Sequence, residues 1–154
     1  MDNKDKDYFK KVNIDKAKNK TIICIVLMSI SLLTYLIPLA FGDFDFGIIF
    51  EILTLASILI ARIFMSKYDE DNAKRLIIFA MIPIGWLLIY DLITIISCSS
   101  NVFDLTFLGI NFLFQELTTI LSLVILYLII KDLRKADNPE KYKESTDWFY
   151  ENKK

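Results

Sequence analysis

The sequence predicts an all-α integral membrane protein, an up-down-up-down bundle of four spanning helices with both termini in the cytoplasm. Three observations carry that expectation. Four separate apolar stretches each approach 20 residues, about the length that crosses the hydrocarbon of a bilayer. The chain of 154 residues is 55% hydrophobic, with only four Gly and three Pro. Its charge is driven out of those stretches into the two tails and one middle loop.

The first segment, 1–20, is a charged cytoplasmic leader holding seven lysines between Lys4 and Lys20. Acids alternate with those lysines, so disorder or a loose surface helix built on Tyr8, Phe9 and Val12 is expected. The first span follows over about 21–41. Ala40-Phe41-Gly42 has the small-x-small pattern of a signal-peptide cleavage site, but the apolar run is too long for an ordinary signal core. It reads as a retained span. The second and third spans fall at about 46–65 and 76–97. The last apolar run, Val102 to Ile130, is longer than a span requires. Its spanning part is taken as 111–130, with Val102 to Ile110 as an interfacial or re-entrant lead-in.

Orientation follows from the basic residues, which stay on the cytoplasmic side. All eighteen Lys and Arg fall in the leader, around the middle loop (Arg62, Lys67, Lys74, Arg75) or after the last span. The connections Gly42 to Asp45 and Cys98 to Asp104 carry acids and no base. Short connections make sequential helices antiparallel neighbours. The four spans, 21–131 in all, form the membrane domain, and the expected location is the inner (cytoplasmic) membrane of a cell. Abundant Ile, Lys, Asn and Phe suggest an AT-rich bacterial genome.

Each span offers a seam of small or polar residues at helical spacing, as close helix packing in lipid requires. The seams are Cys24, Met28, Ser31, Tyr35 and Pro38; Glu51, Thr54, Ser57 and Ala61; Ala80, Leu87, Asp91, Thr94 and Cys98; and Gln115, Thr119 and Ser122. Pro38 and Pro83 are expected to kink their helices, with Ser and Thr relieving freed carbonyls. The tail, 132–154, has a helix start at Asp137-Asn138-Pro139-Glu140. A helix over about 139–151 places Tyr142, Trp148 and Phe149 at the membrane interface, flanked by Lys141 and Lys143.

Several chemistries are excluded. No histidine exists, so His catalysis, His-ligated metals and haem are out. A net charge of −1 supplies no basic field for nucleic acid. Cys24 and Cys98 lie near opposite faces of the membrane, about 25 Å apart by helical rise. They read as small buried hydrophobes, not a disulfide. Asn19-Lys20-Thr21 matches a glycosylation acceptor but falls on the cytoplasmic side.

The candidate site is a set of acids inside apolar spans: Glu51, Asp91 and Glu116. Each is costly in hydrocarbon. Counting from the outer span ends places all three roughly 7–9 Å deep, and no Lys or Arg shares that level. Asn111, Gln115, Thr94 and Thr119 add neutral oxygens and amides, while Asp43, Asp45 and Asp104 at the mouth attract cations. Hard oxygen donors suit Ca²⁺, Mg²⁺, Na⁺ or protons. No resident organic cofactor is implied. The expected function is a cation- or proton-coupled transporter or channel component, with a homodimer as its assembly. The competing expectation is a non-catalytic accessory or immunity-type subunit whose outer acids or aromatic tail helix bind a partner membrane subunit. No nucleophile motif, phosphate loop or redox pair speaks for an enzyme.

Overall fold

The computed structural model describes residues 3–40, 47–97 and 107–139. They form four helices: α1 (Asn3–Ala40), α2 (Gly47–Ser66), α3 (Glu70–Ser97) and α4 (Phe107–Asp137). All four are long and apolar enough to cross a membrane. Among the described residues there is no strand. The protein is an all-helical membrane bundle.

Burial explains why these segments assemble. The core positions of α1 are Ile14, Ala17, Thr21, Cys24, Met28, Ser31 and Tyr35. They alternate steps of three and four, the seven-residue period that lets helices pack at a shallow crossing angle. The same alternation runs through Glu51, Thr54, Ile58, Ala61 and Met65 on α2 and through Ala73, Ile77, Ala80, Ile84 and Leu87 on α3. On α4 it runs through Thr119, Ser122, Leu126, Ile129, Leu133 and Ala136. The opposite faces expose Leu33, Ile63, Ile82, Trp86 and Tyr127. That is the inverse of a soluble bundle and suits lipid.

Helix α1 packs chiefly on α4 and α2, and α3 packs chiefly on α2 and α4. The start of α1, the α2–α3 turn and the end of α4 meet at one charged end. There Lys10 pairs with Glu70 at 2.5 Å, Lys74 with Asp137 at 2.8 Å, and Lys20 with Asp132.

The leader is therefore neither disordered nor loose. It is the first half of α1, with Phe9, Asn13, Ile14 and Ala17 buried. The seven-residue stripe of the span continues into it, so its apolar residues are buried with the rest of that face, and Lys10 reaches Glu70 of α3. Helix α4 is continuous from Phe107 and α3 begins at Glu70, so both helices extend beyond the spans taken from the apolar runs.

Helix α2 stops where Tyr68 adopts a left-handed backbone, φ 56°. The amides of Tyr68 and Asp69 turn back to the carbonyls of Met65 and Phe64, at 3.1 and 3.0 Å. This is the Schellman arrangement. Asp69 then caps α3, accepting from the Asn72 amide at 3.1 Å and its side chain at 2.7 Å. Within α3, Pro83 has no amide to give the preceding turn. Thr54 of α2 donates to the Ala80 carbonyl of that turn at 3.4 Å.

Candidate functional site

The acids of the apolar spans fall into two groups. Glu51 lies one turn into α2, at 1% exposure. Its position on the α2 stripe faces α1, where Ser31 donates a 2.7 Å hydrogen bond to Oε1. Oε2 has no hydrogen-bond partner. The second group joins α3 to α4: the side chains of Asp91 and Glu116 are hydrogen-bonded to one another, both half-buried. An ionised carboxylate only accepts, so that bond exists only while one of the two carries a proton. Two carboxyl groups so placed can share one proton.

Glu51 is not brought together with that pair. Among the described residues, no three Asp, Glu or Cys gather as a metal-holding group. Position along each helix is read directly from the sequence, but azimuth is not: Glu51 looks toward α1, whereas Asp91 and Glu116 look toward each other. Among the described residues no Lys or Arg forms an ion pair with Glu51.

Thr119 donates to the Gln115 carbonyl of its own helix at 2.9 Å, and Thr118 bonds the carbonyls of Phe114 and Gln115. Ser57 likewise donates to Leu53. Gln115 is half-buried on the same helix. The side chains of Thr94 and Asn111 lie outside the described residues, as do Asp43, Asp45 and Asp104 at the mouth and Tyr142, Trp148 and Phe149 of the tail.

Sequence reasoning missed the charged end. Arg62 turns inward. Its guanidinium donates to the Lys18 carbonyl and, at 2.9 Å, to Thr21 Oγ1, tying α2 to α1. Asp132 is 7% exposed and takes Lys20 as its partner. The signal was present in spacing: Asp132 lies beside Leu133 on the buried stripe of α4, where an acid needs a cation. Outside the spans, the Asn72 side-chain hydrogen bond holds the Asp69 carboxyl below its usual range. The hydrogen bond to Asp137 holds the Lys74 ammonium above its own.

No family model matches the chain, and neither does any curated protein or solved structure.

Proposed function

We propose that this chain is a small multi-pass protein of the cytoplasmic membrane that binds protons or cations at its intramembrane acids, serving a cation- or proton-coupled transporter or channel. The reading takes the helices as up-down-up-down, with both termini and the charged end on the cytoplasmic side. Antiparallel contact pairs such as Ser31–Glu51 and Lys20–Asp132 support that topology, and the placement of the bases supports the orientation. The carboxyl pair Asp91–Glu116 carries the functional reading. Two carboxyls sharing one proton, half-buried and bridging two helices, form a group that can take up and release a second charge. Splitting the acids into one isolated Glu51 and one pair favours the proton over Ca²⁺ or Mg²⁺, which require six or more oxygens around one point. Na⁺ remains compatible with the pair. Four helices make a narrow pathway, and a homodimer would complete it.

Reconstitution tests this. Vesicles loaded with a pH-sensitive dye should show proton movement with the wild-type chain, and Asp91→Asn and Glu116→Gln should each abolish it. Wild-type melting should also depend on pH or Na⁺, and the doubly neutral variant should not. If wild type moves no protons and both proteins respond identically to pH and salt, the reading fails.

One observation keeps a second reading alive. Trp86 and Tyr90 are exposed one turn apart on α3, an aromatic face that suits a partner helix. On that reading the chain is a non-catalytic accessory or immunity-type subunit. Purified alone it should then aggregate, whereas a carrier should form a stable oligomer.

A further inference from the structure

Two contacts between α1 and α2 follow one another at successive turns around Glu51. In the first, Ser31 donates to Glu51 Oε1 at 2.7 Å. In the second, one turn nearer the end of α1 and the start of α2, Tyr35 lies over Gly47. A Cβ built on that glycine would meet the tyrosine hydroxyl and ring edge at 2.8 Å. Ser31, Tyr35, Gly47 and Glu51 are all buried.

Glu51 stands four residues from the start of α2, about 6 Å by helical rise, and fifteen from its other end at Ser66, about 22 Å. The long way is filled, with Met28 and Cys24 of α1 and Thr54, Ile58 and Met65 of α2 all buried along it. The outward faces of the two helices, Leu33, Ile49 and Ile52 among them, offer lipid and no water. A proton bound for Glu51 therefore has its shortest path through the Tyr35–Gly47 contact. The residue types suit a seal. Tyrosine is a broad apolar plate with one polar tip, at home where membrane meets water. Glycine lets that plate lie close against the helix backbone.

We propose that Tyr35 is the outer seal of Glu51, and that this carboxyl exchanges protons with the outer medium only when the ring leaves its seat on Gly47. The inference rests on the reading of the intramembrane acids as proton-binding groups and deepens it: Tyr35 sets the face of the membrane from which Glu51 is served. The step moves one proton between the carboxyl and water and changes no other bond. The ring acts here, not the hydroxyl, which lies over Gly47 while Glu51 Oε2 has no hydrogen-bond partner.

Carboxyl labelling of the full chain in nanodiscs tests this, with a water-soluble carbodiimide and glycine methyl ester, read residue by residue by mass spectrometry. Wild type should label slowly at Glu51. Tyr35→Ala should raise that rate about tenfold or more, because a standing path replaces a local opening. Tyr35→Phe keeps the ring and should stay as slow as wild type. Gly47→Ala keeps the tyrosine but lifts it from its seat, so it should also raise the rate, and it carries the test if Tyr35→Ala does not fold. Met28→Ala loosens the other side of Glu51 and should leave the rate low. Labelling of Glu116 should be the same throughout, which a general loosening of the bundle would not allow. Equal Glu51 rates in wild type, Tyr35→Ala and Gly47→Ala overturn the seal, as does a rise in Met28→Ala that matches theirs. Dye-loaded vesicles separate this from the function. Proton movement by a wild type whose Glu51 rate ignores both variants removes the seal alone. Labelling that depends on Tyr35, in a chain that moves no protons, removes the transport reading and keeps the seal.

Discussion

Gly47 opens α2 because of what lies over it. A Cβ built there would sit 2.8 Å from the Tyr35 hydroxyl and from its ring edge. The tyrosine is itself buried at 6% exposure, so its ring has little room to retreat. Gly85, in the middle of α3, would find nothing within 4 Å of an added methyl. The two glycines should therefore answer alanine oppositely. Gly47→Ala should lose about 1–3 kcal/mol through overpacking, and trimming Tyr35 to Leu in the same chain should recover part of the loss. Gly85→Ala should leave stability unchanged or raise it by up to about 1 kcal/mol, through helix propensity. Melting in detergent or retention in nanodiscs reads both. Equal losses at the two sites would show that the Tyr35 ring does not set the entry of α2.

At the scale of elements, the α2–α3 turn concentrates strain and its relief in two residues. Tyr68 takes a left-handed backbone usually left to Gly, at a cost of about 1–2 kcal/mol. Lys11 of α1 stands 5.9 Å above its ring, a contact of about 0.5–1 kcal/mol at an exposed site. The strain outweighs the contact, so Tyr68→Gly should raise the melting temperature. A fall larger than that caused by Lys11→Gln would mean the leader needs the ring as a dock. Asp69 governs the other half of the turn. Its folded carboxyl lies below the unfolded value of about 3.9, so its ionic contribution is whole above that pH and disappears as pH falls through the folded value. The melting gap between wild type and Asp69→Asn should thus be widest near neutrality and close as pH falls below the unfolded value. A constant gap would place the benefit in side-chain shape, not charge. Lys74 works in the reverse sense. Its support is full below about pH 10.4 and fades above it.

The whole molecule shows which kinds of information a sequence carries. Span number and the polar seams were legible because a bilayer imposes length and lipid imposes small interfaces: Cys24, Met28, Ser31, Glu51, Thr54, Ala61, Ala80 and Ser122 are all buried. The leader was not, because its lysines read as a solvated face while the stripe of Phe9, Asn13 and Ala17 beneath them is sparse. The site was half legible. Rise along a helix orders residues along its axis, but pairing Glu116 with Asp91 and Glu51 with Ser31 depends on rotation about four axes, which no single span encodes.

That same rotation places Asp132 inward at the charged end, and the last prediction follows from its burial. Lys20 reaches it from α1 with its own side chain one-third exposed, so the pair is tied down on the acid side and wet on the lysine side. Removing the lysine alone strands a carboxylate at 7% exposure. Removing both charges strands nothing. Lys20→Met should therefore cost about 1–3 kcal/mol, and adding Asp132→Leu should return most of it. Because Arg62 and Lys74 also cross between helices here, the bundle should open from the opposite end first. Amide exchange should be slowest in the first half of α1 and the last turns of α4 in wild type, and that protection should fall in Lys20→Met and recover in the double variant. If the double variant is worse than Lys20→Met, the ion pair itself closes the charged end, and the buried apolar stripe of Ile14, Ala17, Ile129 and Leu133 is too weak to do so without it.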